Sequence, residues 1–355
     1  MSLEIQILGS DSEDAYSELV NNSENAMFYH SLKYRHFLRS ILIDSVDHYL
    51  IAFQNGIAVA SLPLFAKESK IGTVVNSLPF YGSHGSLIFL KDTPDSTKLA
   101  LIEAYFDYCR ESKALSATII ENIFSRDRSV LESQSADYED ERISQITRLP
   151  ENSTEHTVDA DLMDVFHSKT RNAIRKGFKS GLIFKRECTT TILRELHGLH
   201  TQNMESLGGI AKPWNVIAEI EKIFEFSTDY DLYTARNADG VMVSGLLVFY
   251  FKDTVEYYLP ATNEKYRDQQ PLSAIIFLSM KHAVLRRKSR YWNWGGTWLT
   301  QDGVHLFKSR WGATDLPYKY YTKEFSEKGR VLNYSRSFLL DTFPHFYVIP
   351  FSKLK

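Results

Sequence analysis

YLIAFQNGIAVASLPLF (residues 49–65) and YTARNADGVMVSGLLVF (residues 233–249) align without a gap. Each opens on tyrosine, carries Asn-Gly or Asp-Gly at the same place (Gly56 and Gly240), continues IAVAS or VMVSG, and closes on phenylalanine. A tight hairpin turn needs φ > 0 at both central positions, and Asn-Gly and Asp-Gly between β-rich runs meet that need at least cost. Both stretches therefore predict a β-hairpin, the two standing 184 residues apart. Their surroundings repeat too: a helical pattern precedes each hairpin, and a further strand and a long helix follow, over about 96–112 and about 270–288. Two copies of one α/β unit are expected.

Between the copies lies SRDRSVLESQSADYEDERIS (125–144), charged and serine-rich, then strand-like ISQITRLP and polar ENSTEHT. This composition places the boundary near residue 150, giving domains 1–150 and 151–355. A chain of 355 residues and 40.9 kDa with 43% hydrophobic residues can fill two ordinary cores. A net charge of -3 and a pI near 6.4 argue against a protein that coats nucleic acid, while leaving room for a local basic site. Cys109 and Cys188 have neither disulfide nor zinc-ligand spacing, so a reducing cytoplasm is expected, and no metal. The start, MSLEIQILGSDSEDAYSELV, has acids where a signal peptide has bases, and no apolar run reaches the roughly 18 residues of a membrane span. FYVIPF (346–351) is long enough only for a peripheral membrane contact.

The second copy opens with DADLMDVFHSKTRNAIRKGFKSG (159–181), read as one helix: Leu162, Val165, Phe166, Thr170, Ala173 and Ile174 fall at helical spacing, with acids first and bases last. Residues 169–186 hold seven Lys or Arg and no Asp or Glu. Such a strip is either a solvated helix face or an anion site in which arginine forks and lysine point charges meet phosphate. Lys169, Arg171 and Arg175 are the candidates.

YWNWGGTWLTQDGVHLFKSRWGATDLPY (291–318) holds four of the five tryptophans. Trp292 and Trp294 alternate as in a core strand, and Gly295 and Gly296 allow a turn or the approach of a ligand, with Trp294 as a candidate contact. Lys308, after Leu306 and Phe307, is either a desolvated cation facing a developing negative charge or a snorkelling surface lysine. SLPFYGSHGSLIF (77–89) reads as strand, glycine-rich turn, strand, with Tyr81 and His84 as candidate substrate contacts. VEYYLPATNEKYRDQQPLSAIIF (255–277) reads as a strand with Val255, Tyr257 and Leu259 on one face and Glu256 and Tyr258 on the other. A polar loop then leads into a helix with Pro271 in its first turn, where phosphate could be cradled.

The repeated unit, SLPF near a glycine turn, KTRNAIRK, and WNWGG followed by FKSRWGA together resemble the Fem (FemABX) aminoacyltransferases and related GNAT-like N-acyltransferases over roughly residues 27–320. The resemblance implies two tandem GNAT-like domains, each a mixed, mostly antiparallel sheet flanked by helices. It also implies transfer of an aminoacyl group from aminoacyl-tRNA, or an acyl group from acyl-CoA, to an amine on a cell-envelope saccharide or peptide precursor, phosphorylated or lipid-linked. Phe307 and Lys308 match the family's Phe-Lys pair, whose lysine lies at the acyl-transfer site; Lys169, Arg171 and Arg175 match its basic helix. The chain departs from the family at His30 and Tyr34, where glutamine and tryptophan are usual, and lacks the long coiled-coil arm of some members. The GNAT pyrophosphate signature is also missing around Arg267 to Ala274, so both donors stay open.

The chemistry expected has a neutral amine attacking an ester or thioester carbonyl through a tetrahedral oxyanion. Lys308 is the candidate for stabilising the oxyanion; Tyr257, Glu256 and Asp302 compete as proton acceptor. The rival reading is a catalytically silent carbohydrate- or nucleotide-binding module on the same fold.

Overall fold

The computed structural model describes residues 3–354 apart from 81–83, 126–127 and 299. Its two compact units are interleaved in sequence: Met1–Arg142 with Pro317–Lys355, and Ile143–Leu316. The sequence suggested one break near residue 150 and a second domain running to 355. Pairing of the C-terminal residues accounts for the difference.

The first unit runs β1 (Leu3–Ile7), α1 (Glu13–Asn22), α2 (Leu32–Ile41), β2 (Ser45–Asp47), β3 (Leu50–Gln54), β4 (Ile57–Leu62), β5 (Phe65–Ser69) and β6 (Gly72–Asn76). β7 (Ile88–Phe89), α3 (Asp95–Glu111), β8 (Ala114–Ile120), α4 (Ser129–Glu132) and β9 (Tyr138–Arg148) carry the chain onward. β1, β3, β4 and β7 form one antiparallel sheet. In a second, β2, β5 and β6 are antiparallel while β6 and β8 are parallel, a connection that requires a crossover and receives it from α3. Leu101, Ile102, Tyr105 and Cys109 form the buried stripe of α3, packed with Leu62, Val75 and Ile119. Residues Tyr320–Glu324 pair antiparallel with Ile120–Ser116 of β8. The Asn76 amide exchanges two hydrogen bonds with the Tyr347 backbone (2.7 and 2.8 Å), and Ser116 Oγ donates to Val348 O at 2.7 Å. The chain's end thus completes the first unit.

The second unit contains α5 (Val158–Val165), α6 (Ser168–Phe178), β10 (Ile183–Arg186), α7 (Thr190–Ser206), α8 (Trp214–Ile223), β11 (Tyr230–Arg236) and β12 (Met242–Phe251). β13 (Thr254–Thr262), α9 (Pro271–His282), β14 (Tyr291–Thr297), α10 (Asp302–Ser309) and the start of β15 (Ala313–Glu324) follow. Its sheet order is β10-β11-β12-β13-β14-β9, with β13 and β14 the parallel pair and all other neighbours antiparallel. Trp292, Trp294 and Trp311 lie in a core with Phe166, Ile174, Val255, Ile276 and Met280. No helix among the described residues is long and apolar enough to cross a membrane.

The two hairpins are present but differ in their turns. Asn55 and Gly56 close β3 and β4 with φ of 52° and 81°, the two-residue turn expected. β11 and β12 instead enclose residues 237–241, because the Asn237 side chain accepts from the backbone N–H of Asp239 (3.1 Å) and Val241 (2.9 Å) and holds a wider loop. The helix expected over 159–181 is two: Phe166 and His167 adopt extended backbone, and the His167 ring caps α6 by accepting from Lys169 N at 3.2 Å. Among the described residues of 77–89 the first expected strand is absent, since β6 ends at Asn76, and the two-residue β7 (Ile88–Phe89) belongs to the other sheet. Along β13 the face alternation breaks at Tyr258, an extra residue bulged between the Val248–Tyr257 and Leu247–Leu259 pairs.

Candidate active site

β13 and β14 pair over Thr254–Glu256 and Tyr291–Asn293, whereas β13 runs on to Thr262 and β14 to Thr297. The strands therefore part at Glu256 and Asn293, immediately before the Tyr258 bulge. Asn293 ties this point together: its Nδ2 donates to Glu256 Oε2 at 2.8 Å and its Oδ1 accepts from Gly295 N at 2.9 Å. Gly295 has φ of 71°, a conformation that suits glycine and turns the strand end toward α10.

Lys308, only 5% exposed, reaches that strand end from α10. Its Nζ donates to Gly295 O and Gly296 O, both at 3.1 Å, and to Thr297 Oγ1 at 2.7 Å. A surface-snorkelling lysine is thereby ruled out. An ammonium has three N–H donors, and each has an acceptor here. Desolvation pulls the lysine down to about 8, since burial disfavours the charged form.

From Lys308 a run of buried polar groups leads to the surface. Thr297 Oγ1 donates to Gln145 Oε1 at 3.1 Å, and Gln145 Nε2 donates to Asp315 Oδ1 at 3.1 Å. The Asp315 carboxylate also holds His305 Nε2, at 2.8 and 3.0 Å from its two oxygens. Gln145, Thr297, His305 and Asp315 escaped the sequence reading. A glutamine inside the strand-like ISQIT was its one visible sign, an amide where an apolar side chain would otherwise face the core.

Trp294 is buried, donates to Thr147 Oγ1 at 2.8 Å, and packs against Tyr257 with ring centroids 4.9 Å apart. Burial raises the Tyr257 phenol well above its usual range, keeping it neutral and better suited to donating than to accepting a proton. Phe307 is partly exposed and edge-on to Trp294 at 5.9 Å. Glu256 is buried at the parting, whereas Asp302 stands exposed in the first turn of α10, where a carboxylate complements the helix dipole.

The two segments singled out by sequence meet in space. His167 N and Thr170 Oγ1 both donate to Arg310 O at 2.9 Å, docking the start of α6 onto the end of α10. The adjacent Gly312 has φ of 75°, and a Cβ there would lie 2.7 Å from Val165 O. The basic strip divides in its tasks. Arg171 Nη1 donates to Met163 O (3.2 Å) and Phe166 O (3.0 Å), capping carbonyls at the end of α5. Lys169 and Arg175 are exposed, the latter donating to Asn172 Oδ1 at 3.3 Å.

His84 belongs to the first unit, fully buried, with Nδ1 3.0 Å from Glu121 O and its ring 4.6 Å from that of Tyr318. Burial lowers it to about 4. Tyr81 lies outside the described residues.

Comparison with known proteins bears on the fold. The family described as acetyltransferase (GNAT) domain matches residues 166–324. Among solved structures, FemX is similar at 14% identity, with 89% of this chain and 96% of that one covered and a TM-score of 0.70. L-PGS from Bacillus licheniformis gives 12% identity, 95% and 97% coverage and a TM-score of 0.57. A tandem GNAT protein from the clavulanic acid biosynthesis pathway, solved without AcCoA, gives 11%, 92% and 100%, and 0.55. No curated protein matches the chain. The chain has the tandem GNAT fold of the Fem-like proteins.

Proposed function

We propose that this chain is an N-acyltransferase that transfers an acyl or aminoacyl group from acyl-CoA or aminoacyl-tRNA to an amine of a cell-envelope saccharide or peptide precursor. The carrying observation is Lys308, a buried cation fixed at the point where the parallel strands part. A carbonyl lodged in that opening would meet strand-edge backbone from β13 and a positive charge from α10. When the amine adds, the carbonyl oxygen becomes anionic and competes for one of the three lysine donors, because an anion makes a stronger hydrogen bond than a neutral carbonyl. The bonds to Gly295, Gly296 and Thr297 hold the ammonium in place beforehand, so little reorganisation remains for the reaction itself. Tyr257, neutral and packed on Trp294, is suited to hydrogen-bonding the donor or the leaving group.

The acceptor class rests on the resemblance of KTRNAIRK and FKSRWGA to the Fem family, and the fold likeness to FemX and L-PGS supports it. Lys169 and Arg175 are among the exposed cations of this strip available to a phosphorylated or lipid-linked precursor or to charged tRNA. The test is a donor panel with the whole protein: acyl-CoA and aminoacyl-tRNA against amino sugars and amine-bearing peptides, with Lys308→Met alongside. Product above background from wild type, and little from the variant, is expected. Wild-type protein that binds these ligands without turning them over would instead make it a binding module.

A further inference from the structure

We infer that His305, oriented by Asp315, accepts the proton that the attacking amine loses, an assignment that rests on the acyltransferase reading above. His305 precedes Lys308 by three positions on α10, so the two side chains are neighbours on the helix surface. A carboxylate only accepts hydrogen bonds, so His305 Nε2, 2.8 and 3.0 Å from the Asp315 oxygens, carries the hydrogen. Nδ1 then keeps its lone pair on a ring that is 38% exposed. Asp315 is itself fixed from beneath by Gln145, which Thr297 joins to Lys308. The cation and the base are thus held by one continuous set of bonds, buried at Lys308, Thr297 and Gln145 and reaching solvent at Asp315 and His305. The surface pair His36–Glu13, at 3.7 Å, is looser.

Among the described residues, the following charged groups stand on the elements around His305. β15 contributes Asp315, and α10 contributes Asp302 and Lys308, one turn to either side; β9 and β14 present the uncharged Gln145 and Thr297. The three earlier candidates fit the task less well: Tyr257 is kept neutral by burial, Glu256 is engaged by Asn293, and Asp302 sits at a helix start. In the step itself, the amine nitrogen bonds to the acyl carbon, giving a zwitterion with an ammonium and an oxyanion. One proton passes from that nitrogen to His305 Nδ1, the carbon–sulfur or carbon–oxygen bond to the carrier breaks, and the imidazolium protonates the departing thiolate or alkoxide. Amide and carrier thiol or alcohol are the products, and the histidine is returned neutral.

The experiment follows acyl transfer from acetyl-CoA and from charged tRNA across the pH range, comparing wild type, His305→Gln and Asp315→Asn. A positioned base contributes about a hundredfold or more, so His305→Gln should lose about that factor in kcat, and the acid limb of its pH profile should flatten. Added imidazole should restore part of the rate, which a structural defect would not allow. A His305→Gln enzyme within about threefold of wild type at every pH, or a loss that imidazole leaves untouched, overturns the assignment. Should that variant fail to fold, Asp315→Asn reads the same limb: loss of about tenfold in kcat with donor KM unchanged supports the assignment, and an unchanged rate overturns it. A wild type silent with every donor overturns the acyltransferase reading and this inference with it, whereas an active wild type matched by both variants overturns this inference alone.

Discussion

If Lys308 stabilises the oxyanion as proposed, it couples stability and rate to pH in opposite senses. Its folded value, about 8, lies below the ordinary 10.5, so between these values the unfolded chain binds more protons and stability rises with pH. This contribution is fully present above about 10.5 and lost as pH falls through about 8; urea titrations should show the rise in wild type and a smaller one in Lys308→Met. The proposed catalytic contribution of the cation would run the other way, declining as pH climbs through about 8. At neutral pH, Lys308→Met should lower kcat and kcat/KM together by about a hundredfold, or about 3 kcal/mol, as for loss of one oxyanion donor. Steady-state kinetics with the true substrates checks this, and near-normal kcat/KM would reduce the lysine to a clamp on the Gly295–Gly296 turn. Arg171 and Arg175 make a second contrast. Arg171→Gln removes charge-assisted bonds to two carbonyls and should cost about 1.5–3 kcal/mol in chemical denaturation, while Arg175→Gln, on the surface, should stay within about 0.5 kcal/mol. Seven like charges in a row gave no hint of this division, because it depends on the helix break at Phe166 and on which carbonyls that break leaves open.

Among the elements, α6 and α9 approach at Gly177, where a Cβ would lie 2.7 Å from Gln270 O and 2.9 Å from Ala274 Cβ. Gly177→Ala must push the helices apart, and a loss of about 1–3 kcal/mol by thermal or chemical unfolding is expected. The change would also displace the start of α9, and if that helix start cradles the donor's phosphate, donor KM should rise more than kcat falls. What was legible at this scale was whatever depends on near neighbours: the Asn55-Gly56 turn, Pro271 opening α9, the buried tryptophans of β14. The loop at 237–241 was harder, because one asparagine side chain outcompeted the tight-turn geometry of Asp239-Gly240. The parting of β13 and β14 depends on a parallel pairing whose extent no local pattern encodes. Likewise the Lys308 network joins residues 145, 297, 308 and 315, whose spacing has no periodicity; its one conspicuous member, the lysine, was singled out by its apolar and aromatic neighbours in sequence and then matched by the resemblance.

For the molecule as a whole, the first unit needs both ends of the chain. A chain ending at Leu316 loses the Tyr320–Glu324 partner of β8 and the backbone that Asn76 and Ser116 bind. Limited proteolysis should therefore degrade residues before 142 in that truncation while sparing 143–316, and equal protection of both would mean that the tail is dispensable. The repeat seen in sequence correctly implied two related units, yet sequence order suggested two beads in line, since nothing local tells residues 317–324 that their strand partner lies some two hundred positions upstream. This threading has a consequence for biosynthesis. On a translating ribosome the later unit, one uninterrupted stretch, is fully out of the exit tunnel while its older neighbour still waits for its last strand, so the half made first is the half finished last, and its exposed strand edges are what a chaperone would have to shield in the interval.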